Sequence, residues 1–160
     1  MTISTTEERQ FVVFDLGNES FGIDIAVVKE IIQKTDSTKL PEMDEFIDGI
    51  INVRGDVIPI ISLGRKFKLY DSVTEDQETK VIIVELEGTL VGLAVDSVEE
   101  VLRIPATSIQ RPTAIAGINL RYIQGIAQHD DRLLILLDVN EVFSINEKEV
   151  LMEATSSFPE

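Results

Sequence analysis

The chain has 160 residues, with 14 basic against 29 acidic side chains and a formal net charge of -15. That balance argues against nucleic acid, whose phosphates are held mainly by Lys and Arg, and against an anionic membrane surface, so proteins or small molecules are the expected partners. The absence of Cys removes disulfides, thiolate chemistry and zinc-thiolate clusters; with no apolar leader and no run of 18 apolar residues, the expectation is a cytoplasmic protein that inserts into no membrane.

Residues 1–9 read as a flexible polar lead-in. Residues 10–16, rich in Val and Phe, predict a strand, residues 17–20 a turn and residues 21–25 the returning strand. The β-branched run over 26–33 predicts a bend and then a third strand. Residues 34–41 form a connection, and 42–47 suit one helical turn. Then comes an apolar run from Gly49, the polar turn Asn52-Val53-Arg54-Gly55-Asp56, and a second apolar run through Pro59 to Leu63: a hairpin, closed by a short helix over 63–67. Residues 68–80 are a charged linker. Beyond it, strands are predicted over 81–86, 90–94 and 98–104, followed by a loop containing Pro105, Pro112 and Gly117, a hairpin over 125–139 and a closing helix over 139–143. The acidic tail, 144–160, has Val150, Leu151 and Met152 as its apolar cluster and is expected to fray.

The two halves are copies. A shift of 70 lays residues 11–32 on 81–102 without a gap, Gly22 meeting Gly92, Val28 meeting Val98 and Glu30 meeting Glu100. A shift of 76 lays Gly49-Ile50 on Gly125-Ile126 and the apolar run from Val57 on that from Leu133. The second copy therefore carries six extra residues between Ile104 and Ile123. Five short strands per copy with little helix predict an all-β chain of two small barrels, since curling a short sheet shut removes sticky edges. The first repeat spans about 10–67 and the second about 81–143. If the first strand of one copy completes the barrel of the other, the two share an apolar seam.

Catalytic constellations are not found. The one histidine, His129, lies in the polar turn Gln128-His129-Asp130-Asp131 and reads as solvated. No phosphate-binding glycine loop is present. Acidic pairs such as Glu99-Glu100 and Asp130-Asp131 read as solvated faces, because neighbours on a strand point to opposite sides. Arg54-Gly55-Asp56 matches an adhesion tripeptide of secreted proteins, which this sequence gives no reason to invoke. No metal and no cofactor is expected.

Arg54 stands apart as the one cation between Lys39 and Arg65, in the most apolar part of the chain. It either pairs internally with Asp48 or Asp56, or presents its planar guanidinium to a partner's carboxylate. Gly49 and Asn52 would then allow close approach and backbone hydrogen bonds, and Gly55 the turn itself. Val28 and Glu30 alternate apolar with acidic and read first as core and solvent.

Phe-Gly-Ile-Asp-Ile (21–25), Val-Lys-Glu-Ile (28–31), Phe-Ile-Asp-Gly-Ile-Ile-Asn-Val-Arg-Gly (46–55), Val-Ile-Pro-Ile-Ile-Ser-Leu (57–63) and Val-Gly-Leu-Ala-Val-Asp-Ser-Val (91–98) resemble the CheW-like family of chemotaxis coupling proteins across residues 10–143. The resemblance implies two five-stranded SH3-like barrels related by a pseudo-twofold. It implies a non-enzymatic adaptor that joins the regulatory domain of a CheA histidine kinase to the cytoplasmic tips of chemoreceptors, a receptor helical hairpin lying in the groove beside the first barrel. It places Val28, Glu30, Gly49, Asn52, Arg54 and Gly55 at receptor or kinase contacts and Arg111 near an array-forming contact. The alternatives are a small-ligand-binding barrel or a CheW-like module of another signalling scaffold.

Overall fold

In the computed structural model, residues 8–33, 47–67, 80–112, 120–143, 147–148 and 151 are described; the expected connection at 34–41, most of the helical turn at 42–47 and the linker at 68–79 lie outside them. The chain is built from strands β1 (Glu8–Leu16), β2 (Glu19–Asp24), β3 (Val28–Gln33), β4 (Ile47–Val53), β5 (Asp56–Ser62), β6 (Lys80–Leu86), β7 (Thr89–Val95), β8 (Ser97–Pro105), β9 (Ile109–Gln110), β10 (Ile123–His129) and β11 (Arg132–Leu137). Two one-turn helices, α1 (Leu63–Lys66) and α2 (Val139–Val142), close the copies. Ile25 belongs to a 3-10 turn, Ile25–Val27, rather than to the returning strand, because the Asp24 carboxylate accepts from the Ala26 amide at 2.9 Å and caps it.

The strands form two sheets, ordered β8-β1-β2-β11-β10-β9 and β3-β6-β7-β5-β4. These are the two SH3-like barrels, and neither coincides with one sequence copy. The mid-chain barrel, β3 to β7, takes the first hairpin of the second copy; the chain-end barrel takes the first hairpin of the first. The exchange therefore involves a whole hairpin, two strands where the sequence suggested one. The second sheet has the expected five strands, whereas the first has a sixth, the two-residue β9 paired with β10. It comes from the stretch where the second copy carries its extra residues.

The pairing registers give the pseudo-twofold strand by strand. Parallel β5 and β7 align Ile60 with Gly92, and parallel β11 and β2 align Leu136 with Gly22, related by the same shifts as the sequence. A bulge between Ile47 and Gly49 recurs between Ile123 and Gly125. Another, opposite Val13 and Phe14, leaves Glu99 unpaired between Val98 and Glu100; its counterpart leaves Lys29 unpaired between Val28 and Glu30. At Gly92 a side chain is excluded by packing: an added Cβ would lie 2.5 Å from Ile60 Cδ1 and 2.8 Å from Val81 Cγ1.

β1 and β6 read as unbroken apolar runs because both faces are buried. Phe11 and Val13 line the chain-end barrel with Leu102, Ala127, Leu134 and Leu136, whereas Val12, Phe14 and Leu16 face the seam. Likewise Val81 and Ile83 fill the mid-chain barrel with Ile51, Ile58 and Ile60, and Ile82, Val84 and Leu86 face the same seam. Along it Phe14, Phe21, Phe67 and Tyr122 stack in sequence at 5.8, 6.1 and 5.9 Å between centroids. Leu151, expected to fray with the tail, is 1% exposed and belongs to this core. Glu147 pairs with Lys66 at 2.6 Å and Lys148 with Glu87 at 2.6 Å, which ties these two residues to one copy each.

Candidate functional site

Val28 and Glu30 lie on β3, Gly49 and Asn52 on β4, and Arg54 and Gly55 form the turn to β5. All six belong to the mid-chain barrel, in which β3 and β4 are opposite edges of the sheet. The strands run further into the hairpin than the polar composition suggested, leaving a two-residue turn in which both residues have positive φ, 51° at Arg54 and 93° at Gly55. That is the twist hairpin strands favour. Asn52 Oδ1 accepts from the Gly55 amide at 2.9 Å, so its side chain shapes the turn.

Arg54 finds neither of the two aspartates considered from sequence. It bridges the curled sheet to Glu30 on β3, while Asp48, 8% exposed in its side chain, is paired with Arg65 of α1. The hydrogen bond from Arg54 to Glu30, with their charge attraction, raises the guanidinium pKa, and Asp56 adds a smaller contribution. The pair stays accessible: the Arg54 side chain is 72% exposed and Glu30 33%. Glu30 thus aims the guanidinium and leaves most of its donors facing solvent. Val28 packs against the shared core while remaining partly exposed. Gly49 is buried beside its bulge, opposite Ile60, so it acts through backbone shape. Arg111 is exposed just past β9, on the chain-end barrel, and is not brought to the Arg54 tip by the sheet topology.

The sequence reading missed a second polar cluster. Glu99 and Glu100, expected to diverge, both reach Arg132, Glu99 at 2.8 Å and Glu100 at 3.8 Å. The bulge at Glu99 breaks the alternation on which that expectation rested. Asp15 accepts from Ser20 and from Ser97, each at 3.0 Å. The sequence carried only the equivalence: the shift of 70 lays Lys29 on Glu99 and Asp15 on Glu85, and the structure pairs Lys29 with Glu85 at 2.9 Å. His129 contacts Asp130 at 3.3 Å and is half-buried. Among the described residues no group of His, Cys, Asp and Glu is placed to hold a metal, and no helix is long and apolar enough to cross a membrane.

The model of the CheW-like domain matches residues 10–147. The chain is 35% identical to the chemotaxis protein CheW of Klebsiella aerogenes, over 95% of this chain and 92% of that one. It is 34% identical to the chemotaxis protein CheW of Treponema pallidum, over 91% and 88%. The crystal structure of the scaffolding protein TtCheW from Thermoanaerobacter tengcongensis superposes with a TM-score of 0.80 at 38% identity, covering 88% of this chain and 91% of that one. With the two exchanged barrels and the Asn-Val-Arg-Gly turn in place, the chain belongs to the CheW-like family.

Proposed function

We propose that this chain is a non-enzymatic, cytoplasmic adaptor of bacterial chemotaxis that couples a CheA-type histidine kinase to chemoreceptor tips at the inner face of the membrane. The observation that carries the reading is the Arg54 tip: an exposed guanidinium at a hydrogen-bonded turn, aimed by Glu30, on a chain similar to chemotaxis proteins CheW and to a CheW scaffolding protein. Such a group suits an acidic or amide-rich partner surface, where a planar fork gives direction as well as charge. Val28, Glu30, Gly49, Asn52, Arg54 and Gly55 form the contact region in this reading, and Arg111 a separate contact on the other barrel. The small-ligand alternative gains no support, because the described interiors of both barrels are filled by their own side chains.

The test is co-sedimentation of the chain with a CheA-type kinase and a receptor cytoplasmic fragment, singly and together, with kinase autophosphorylation followed alongside. The proposal expects the kinase to reach the receptor pellet only when this chain is present, with a change in its activity. Binding to neither partner would overturn it.

A further inference from the structure

We infer that the C-terminal segment through Leu151 is a strap that locks the chain-end barrel onto the mid-chain barrel. The segment leaves the chain-end barrel by way of β11 and α2. Its anchors lie on the mid-chain barrel. Glu147 meets Lys66 of α1, which follows β5, at 2.6 Å, and Lys148 meets Glu87, in the turn between β6 and β7, at 2.6 Å. Leu151 lines a small apolar cleft with Leu86, Thr89 and Val91 of the same hairpin and is 1% exposed. It lies past residue 147, where the match to the CheW-like model ends.

The duplication explains why the core takes a residue from outside the repeat. In the first copy Phe14, Phe21 and Phe67 stack at 5.8 and 6.1 Å between centroids. The shifts of 70 and 76 turn these three into Val84, Val91 and Phe143, and all six belong to the shared core. Two rings have become valines, so the second copy brings less apolar bulk to the equivalent place. Protein interiors leave few voids larger than a water molecule. Leu151, a member of the same core, supplies the missing bulk.

The two ion pairs hold unequally. Glu87 is 66% exposed in its side chain, so solvent screens its pair with Lys148 and little stability comes from it. Lys66 is only 10% exposed, and its ammonium lies 5.5 Å over the Phe143 ring. A charge buried to that depth is costly to leave without its partner. Glu147 is thus the polar anchor of the strap and Leu151 the apolar one. Both have helical backbone, and a spacing of four places them on one helical face. They therefore dock together or not at all.

Amide hydrogen exchange on the full chain tests this, with Leu151→Ala, Glu147→Gln and the double variant compared against the unmodified protein. The expected result for Leu151→Ala is exchange at least tenfold faster in both sheets, in the β6–β7 ladder and the β10–β11 ladder alike, with a smaller acceleration at the same amides for Glu147→Gln. Since both anchors act through one docking event, the double variant exchanges no faster than Leu151→Ala alone. Acceleration confined to residues 147–151 or to the β6–β7 hairpin overturns the proposal, as does a double variant in which the two effects multiply. Leu151→Val, which removes one buried methylene, speeds the same amides of both sheets about fourfold; it decides the matter by the same criterion if Leu151→Ala does not fold.

Discussion

At the tip of the β4–β5 hairpin sit Arg54 and Gly55; at the equivalent tip, between β10 and β11, sit Asp130 and Asp131. Both turns need positive φ at two residues, and the second accepts it at 49° and 66° without a glycine. Each tip is also tied by an arginine to a glutamate on β3 or β8. Arg54 makes one such pair and keeps a 72% exposed side chain. Arg132, at 34%, is committed to Glu99, Glu100 and Ser20 inside a polar network. One scaffold thus spends its arginine inward at one end and outward at the other. The outward one has the features of a contact.

The comparison requires the two barrels to be a single cooperative body. Phe21→Ala removes the middle of the Phe14–Phe21–Phe67 stack in the shared core and should cost about 3–5 kcal/mol. Chemical denaturation followed in both sheets by amide exchange should show one transition; loss of the chain-end barrel alone would break the premise. Arg132→Ala should cost less, about 1 kcal/mol, since solvent still screens its pairs, and thermal melting checks this. Exchanging turn residues sharpens the contrast further. Asp131→Gly should stabilise by about 0.5–1 kcal/mol by relieving a left-handed non-glycine residue, and Gly55→Asp should destabilise by a similar amount. Equal signs in urea titration would contradict the equivalence of the two turns.

Much of this was legible in the sequence because the duplication is visible as two ungapped blocks, offset by 70 and by 76 residues, and the strand boundaries follow apolar runs such as those in β1 and β6. The barrel exchange was legible only as a conjecture, since whether β2 pairs with β11 depends on contacts far apart in the chain. Glu99 was misread for a definable reason: a bulge changes which way a side chain points, and nothing local to Val98-Glu99-Glu100 announces one. Arg54 stood out by its isolation, but its partner did not, because Glu30 approaches only when the sheet curls. Leu151 was assigned to a frayed tail on the polarity of the tail as a whole, whereas its burial depends on packing against the shared core, which is far from it in the chain.

The account turns on Arg54 being a contact residue and not a structural one. The direct test is a paired measurement on Arg54→Ala: its melting temperature, and its binding to a receptor cytoplasmic fragment at low and high salt, with Arg132→Ala as the control. The prediction is an unchanged melting temperature with binding weakened at least tenfold and its salt dependence reduced, while Arg132→Ala loses stability and keeps binding. A large fall in melting temperature for Arg54→Ala, or binding equal to that of the unmodified chain, would contradict it.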